Sequence, residues 1–221
     1  MHGLFITLEG GEGAGKTTQC RKIKEFFEST GYEVVLTREP GGTPEAEKIR
    51  NLLVQRDGGN WTPTAECLLF FAARQMHVET LIKPAIAAGK VVISDRFTDS
   101  TIAYQGYGHG FDLDTIRQVE QIALAGFKPD LTFLLDLPVE DGLRRSLKQK
   151  DIAVGDESTE DRFEKLDKSF HEKLRQGFLT IARESPVRVK VIDASIDPDN
   201  VFAQIKIHLQ EKMEKVGRNV I

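Results

Sequence analysis

Residues 10–17 read Gly-Gly-Glu-Gly-Ala-Gly-Lys-Thr and follow directly on the apolar run Leu4-Phe5-Ile6-Thr7-Leu8. Gly10, Gly15, Lys16 and Thr17 match the spacing G-x-x-x-x-G-K-[ST], a strand–loop–helix device for holding phosphate. Its glycines let the backbone wrap closely and point N–H groups inward at phosphate oxygens. The helix that opens here aims its positive dipole end at the anion. Lys16 can reach the β and γ phosphates of a nucleoside triphosphate, and the Thr17 hydroxyl is placed to ligate Mg²⁺. A chain that begins this way is constrained to an α/β fold.

The rest of the chain keeps to that constraint. Strand patterns over 4–8, 33–37, 91–94, 131–136 and 187–193 alternate with helix patterns. This predicts a mostly parallel sheet with helices on both faces. Several strand runs are almost continuously apolar, as in strands buried on both sides. Helices are expected from the phosphate loop to about Phe27 with Gly31 as the stop, and over 44–54, 64–88 broken or bent near Pro84, 113–125, 139–150, 161–184 and 198–216. The stretch 152–159 is polar and aperiodic, the profile of a surface loop.

A length of 221 residues, 40% hydrophobic and 29% charged, suits one globular domain over 1–221. A net charge of −4 argues against a non-specific nucleic-acid binder. No apolar run approaches the ~20 residues needed to cross a bilayer. The N-terminus shows no basic region followed by a cleavage site, so a cytoplasmic enzyme is expected. Cys20 and Cys67 lie far apart without metal-ligand spacing and read as reduced thiols. His2, His77, His109, His171 and His208 have no metal spacing either, and Trp61 reads as packing.

Further motifs surround the phosphate loop. Thr37-Arg38-Glu39-Pro40-Gly41-Gly42 stands at the carboxyl end of the second strand, the edge at which open α/β sheets bind ligands. Proline stiffens that loop, so Arg38 can point at an anion. Asp95-Arg96 ends the third strand; an acid there can meet Mg²⁺ and its waters, and the arginine is carried between phosphate sites. Phe70 and Arg74 are four apart and share a helix face: a ring on which a base can stack, and a guanidinium that can donate to a pyrimidine carbonyl. On spacing alone Phe70 could equally be core, and Phe71 reads as core. Thr101, Tyr104 and Gln105 precede Gly106, and a glutamine amide can both donate and accept at a base edge.

Taken in order and spacing, these pieces resemble bacterial thymidylate kinases over essentially the full length. The matching runs are Glu9–Thr18, Thr37–Thr43, Leu69–Arg74, Asp95-Arg96-Phe97, Ala103–Gly106, Pro129–Thr132 and Asp161-Arg162-Phe163-Glu164. The resemblance implies a P-loop NTPase fold with a five-stranded parallel sheet flanked by helices, similar to nucleoside-monophosphate kinases, with a short lid at about 144–162. It implies transfer from Mg-ATP to dTMP in dTTP biosynthesis, by a homodimer. Carried over residue by residue, Gly10, Gly11, Glu12, Gly13, Ala14, Gly15, Lys16, Thr17 and Arg144 bind ATP. Arg38, Glu39, Arg50, Phe70, Arg74, Arg96, Thr101, Tyr104 and Gln105 bind dTMP. Thr17 and Asp95 meet Mg²⁺, and Lys16, Arg96, Glu12 and Arg162 carry catalysis.

The lid departs from the family pattern. Ala14 fills the phosphate-loop position at which a basic residue besides Lys16 could stand, so the lid is expected to supply charge from Arg144, Arg145, Lys148, Lys150 or Arg162, alongside an acidic insertion at Asp156-Glu157. Arg162 is the first choice because its surrounding motif matches best. Two other readings compete: a P-loop kinase with a different nucleoside acceptor, and a GTPase-like switch. Neither Asp-x-x-Gly nor Asn-Lys-x-Asp occurs, which leaves guanine recognition unsupported.

Overall fold

The computed structural model describes residues 3–54, 59–152 and 167–215. Five strands, β1 (Leu4–Glu9), β2 (Val34–Arg38), β3 (Val91–Asp95), β4 (Leu131–Asp136) and β5 (Val189–Asp193), form one parallel sheet in the order β2-β3-β1-β4-β5. The phosphate-loop strand is therefore central. Parallel neighbours need crossovers, and helices supply them: α1 (Lys16–Ser29), α2 (Pro44–Val54), α3 (Pro63–His77), α4 (Lys83–Ala87), α5 (Thr98–Thr101), α6 (Leu113–Leu124), α7 (Val139–Ile152), α8 (Lys168–Glu184) and α9 (Pro198–Lys215).

Alternation along β1 builds the two sides of the core. Leu4, Ile6 and Leu8 pack with Cys20, Ile23 and Phe27 of α1 and with Ile205, Leu209 and Met213 of α9. Phe5 faces the other way, onto Phe71, Ile82, Phe97 and Ile116. Each such side chain contributes about 1.5–3 kcal/mol on burial. Thr7 is the polar exception, and its hydroxyl is matched by that of Thr132 on β4 at 2.7 Å.

Register places the site. Leu8 and Arg38 both pair with Asp95, so β1, β2 and β3 end level with one another. The loops after all three strands open onto one edge, and everything carried on them converges there.

The structure refines four expectations. The 64–88 α-helix is interrupted just ahead of Pro84 by a π-helical stretch, Val78–Ile82, and Pro84 sits in the first turn of α4, where a missing N–H is harmless. The residues after β3, to which the sequence pattern assigns no element, are helical, with α5 running into a second π stretch, Ile102–Gly108. Of the helix expected over 161–184, residues 161–166 lie outside the described residues; α8 starts at Lys168, where Asp167 is extended and its carboxylate accepts the Phe170 N–H as a cap. Strand β5 starts at Val189 rather than 187; Val187 is 87% exposed.

Candidate active site

The phosphate loop leaves α1 uncapped. Gly15 is the N-cap residue at φ 88°, with no side-chain cap, and no acid lies in the first turn. The first N–H groups of the helix thus stay available to an anion. The loop's shape depends on backbone-to-backbone packing. A Cβ on Gly13 would lie 2.2 Å from the Gly142 carbonyl of α7, so only glycine lets α7 approach this closely. Lys16 folds back and donates to the Gly10 and Gly11 carbonyls at 3.1 and 2.9 Å. Burial and the nearby Arg96 charge lower its pKa, partly offset by Glu12, Asp95 and Glu9. The Thr17 hydroxyl donates to Asp95 at 3.0 Å. Hydroxyl and carboxylate oxygens are the hard donors Mg²⁺ takes, and this pair fits such an ion beside a nucleotide's phosphates. Among the described residues no group of three or more His, Cys, Asp or Glu side chains could hold a metal. Mg²⁺ sites completed by substrate phosphates use only one or two carboxylates.

Arg96 is the centre of the site's electrostatics. Its φ of 75° is left-handed, unusual for a non-glycine residue and the kind of strain found at functional positions. Its N–H donates to Leu8 O and its carbonyl accepts from Ser94, which holds the backbone there. One guanidinium nitrogen donates to Gly10 O and Ser100, the other to Glu12 at 3.0 Å and Tyr104 at 2.9 Å. Tyr104 in turn donates to the same Glu12 oxygen at 2.6 Å. Burial alone would raise the Glu12 carboxyl, but Arg96, Lys16 and the Tyr104 hydrogen bond outweigh it and bring it down to about 2. Beneath lies Glu9, accepting from the Phe97 N–H and the Ser100 hydroxyl. Burial first, then the Asp99 charge, hold its carboxyl well above the usual carboxylate range.

The opposite side of the site is built on α3, α5 and the π stretch after it. Arg74 is buried, and most of its donors are spoken for: Nε to Glu39 at 2.6 Å, Nη2 to Phe97 O and the Thr101 hydroxyl. Nη1 alone has no hydrogen-bond partner. Gln105 donates its amide to Glu66 at 3.1 Å; because an ionised carboxylate only accepts, this fixes which way the amide faces. Arg38 and Arg50 complete the mouth, the first near Glu47 and the second on the Pro40 carbonyl at 2.7 Å.

These parts line one cleft of about 490 Å³. It brings together Glu12, Gly13, Ala14, Gly15, Lys16 and Thr17 with Arg38, Glu39, Arg50, Phe70, Arg74, Asp95, Arg96, Thr101, Tyr104 and Gln105. Gly10 and Gly11 lie behind the loop, against a smaller hollow lined by β4 and α8. Arg144 is not brought to the cleft: it is exposed on α7 and bonded to Asp141, while Ser146 of the same helix lines the opening. Arg145 also turns away, to the Ala194 and Ser195 carbonyls. Arg162, the larger part of the 144–162 lid and the Asp156-Glu157 insertion fall outside the described residues.

Sequence reading missed the layer behind the site. Glu9, Glu66 and His77 touch the lining residues from inside the fold, and Ser100, in the lining itself, bonds back to Glu9. Their only sequence signal is polar character in otherwise apolar surroundings. His171 belongs with them: it is buried, its Nε2 is without a partner, and its positive charge, when present, would bear on Glu12. Cys20 and Cys67 are buried and unbonded.

Comparison with known proteins agrees with this geometry. The family model described as thymidylate kinase matches residues 8–205. A thymidylate kinase of Syntrophotalea carbinolica is 46% identical over 202 residues, 91% of this chain and 93% of that protein. One of Geotalea daltonii is 48% identical over 198 residues, 89% of this chain and 92% of its own length. The crystal structure of thymidylate kinase from Ehrlichia chaffeensis superposes with a TM-score of 0.74 at 35% identity, covering 95% of this chain and all of that one. With a phosphate loop, a strained arginine and a buried arginine with a spare donor in one cleft, and a family model matching from β1 into α9, the chain belongs to the thymidylate kinase family.

Proposed function

We propose that this chain transfers the γ-phosphoryl group of Mg-ATP to dTMP, giving dTDP and ADP, in the biosynthesis of dTTP. The observation that carries this reading is the single cleft in which the open helix terminus at Lys16 and the pair Arg74 and Gln105 stand on either side of Arg96.

The acceptor phosphate has a second pKa near ~6, so it is largely a dianion at pH 7 and already a nucleophile. No general base is required. The obstacle is the approach of two polyanions, and the remedy is fixed positive charge. Lys16 and the α1 terminus take the donor phosphates. Arg38 and Arg50, at the mouth, take the acceptor phosphate, and Arg96 spans the gap. Glu12 stays ionised through the physiological range and keeps the Arg96 guanidinium in one orientation, as does Tyr104. Thr17 and Asp95 would hold Mg²⁺, which when bound neutralises charge on the phosphates. Lid charge comes from Arg162, with Arg144 recruited only if α7 or its own side chain moves.

Phe70 offers its ring to thymine. The unpartnered Arg74 Nη1 donates to the carbonyl at position 4. Gln105, its amide nitrogen committed to Glu66, presents an oxygen to N3–H. Thr101 and Glu39 act through Arg74, and Tyr104 crowds the sugar where a 2′-hydroxyl would sit. Magnesium dependence, a homodimeric state and a cytoplasmic location belong to the same proposal and rest on the family resemblance. Among the described residues no helix is long and apolar enough to cross a membrane.

The test is ADP release with dTMP, dUMP or dCMP as acceptor, in wild type and Arg74→Ala. Cytosine presents an amino group to Arg74 and a bare N3 to the Gln105 oxygen, leaving buried groups unpaired at about 1–3 kcal/mol each. dUMP lacks only a methyl and should be a weaker but real substrate. Wild type using dCMP as well as dTMP, or an Arg74→Ala variant with an unchanged ratio, refutes this reading of the base.

A further inference from the structure

A buried chain of side chains runs inward from the base pocket. The Thr37 hydroxyl and His77 Nε2 are 2.8 Å apart, His77 Nδ1 and Glu39 Oε1 are 2.9 Å apart, and Arg74 Nε donates to Glu39 Oε2 at 2.6 Å. The His77, Glu39 and Arg74 side chains are 0%, 2% and 3% exposed. His77 closes α3, three residues after Arg74, and Thr37 is on β2, so the chain ties the base-reading helix to the strand that carries Arg38. Gly42 seals its end: a Cβ there would lie 2.5 Å from both the His77 Nε2 and the Thr37 hydroxyl oxygen.

A buried carboxylate paired to a single guanidinium nitrogen leaves that guanidinium free to pivot, and its second oxygen needs a donor of its own. His77 is that donor. An ionised Glu39 only accepts, so Nδ1 carries the proton toward it. Nε2 then accepts from the Thr37 hydroxyl, or donates to its oxygen if the ring is charged; both forms keep both bonds. With Glu39 held from behind and Phe97 O and Thr101 holding Nη2, the Arg74 fork has one allowed orientation, the one that leaves Nη1 as the spare donor.

We propose that His77 is a positioning residue that sets base selectivity without touching the base, by fixing Glu39 and through it the direction of the Arg74 Nη1 donor. The proposal rests on the reading of Arg74 as the contact to the base, and it adds that the contact's selectivity is made one layer further in.

The decisive comparison is between two amides. In His77→Asn the side-chain nitrogen falls near the place of Nδ1 and can still donate to Glu39. In His77→Gln it falls near the place of Nε2 and can reach only Thr37. His77→Leu removes both bonds. Each protein is checked for folding by its thermal transition, then assayed for kcat and KM with dTMP, dCMP and ATP. The expected result is a rise in KM for dTMP of about five- to hundredfold in His77→Gln and His77→Leu, the range expected for one buried group left unpaired. The dTMP-to-dCMP preference should narrow, while KM for ATP stays unchanged and His77→Asn stays close to wild type in all three measures. If His77→Leu does not fold, the Asn and Gln variants carry the comparison. Wild-type behaviour in His77→Gln overturns the proposal. So does an equal loss in Asn and Gln, or a loss confined to kcat with the base preference intact, because those outcomes describe packing. Lack of dTMP-dependent ADP release by wild type overturns the functional reading instead, which separates the two failures.

Discussion

Arg96→Ala removes the cation that the site is arranged around, and the loss should be visible in stability as well as in rate. The Glu12 carboxyl stands at about 2 against an ordinary value of 4.5, although burial pushes it up, because Arg96 is the largest influence pulling it down. That difference corresponds to about 3 kcal/mol of net stabilisation of the ionised carboxylate by the fold, at ~1.4 kcal/mol per pH unit. The Glu12 side chain is only 19% exposed, so solvent screens little of it. A carboxyl depressed in the folded state contributes stability that is complete above pH 4.5 and is lost as the pH falls towards 2. Without Arg96 the burial remains and the main compensation is gone. Arg96→Ala should therefore be less stable than wild type by about 2–3 kcal/mol at pH 7, and the gap should shrink between pH 5 and pH 3. Arg96→Gly should recover about 1 kcal/mol at every pH, because glycine accepts the 75° φ without strain. Urea unfolding at pH 7, 5, 4 and 3 measures this without nucleotide or metal. In a Glu12→Gln background the pH dependence of the Arg96 effect should vanish. Turnover at pH 7 should fall on the order of 10²–10³. A stability difference that is constant from pH 7 to 3, or near-native turnover by folded Arg96→Ala, refutes the reasoning.

Lys16→Ala should fold and lose phosphoryl transfer by on the order of 10²–10³, measured as dTMP-dependent ADP release; near-native turnover would remove the phosphate loop from the mechanism. Arg162→Ala should lower kcat more than it changes KM for dTMP, since a lid cation acts on charge that develops in the transition state. A raised KM with unchanged kcat would make Arg162 a ground-state contact. Glu9→Gln should gain stability relative to wild type as the pH rises from the carboxylate range towards neutrality. The raised Glu9 carboxyl binds its proton more tightly folded than unfolded, so wild type loses stability over that interval. Unfolding curves at pH 5 and 8 that give the same difference between the two proteins would count against it.

Much of this protein is determined locally and is legible without the fold. The phosphate loop is contiguous, and its glycines, Lys16 and Thr17 do their work within one strand, one turn and the first turn of a helix. The parallel α/β architecture follows from apolar runs alternating with helical periods, because neither element can bury its face alone. That Phe70 and Arg74 share one helix face is legible because a spacing of four puts two side chains there.

Tertiary structure decided the rest. Level strand ends, set by the pairing of Leu8 and Arg38 with Asp95, bring the three loops to one edge, and no single segment encodes that register. The π stretches at 78–82 and 102–108 escape periodicity because their hydrogen bonds are chosen by packing rather than by intrinsic helix propensity. Glu39 reads from sequence as a contact to the acceptor. In the fold both its oxygens are taken, one by Arg74 and the other by His77, from positions 35 and 38 residues away. His77 itself is unremarkable in the sequence, since a lone histidine in a helix carries no signal of what it will meet. Polar groups inside a protein must find partners, and those partners arrive from across the fold. The donors proposed to reach phosphate were therefore written along the chain, while the layer that holds the cleft's side chains in place was decided only when the chain closed on itself.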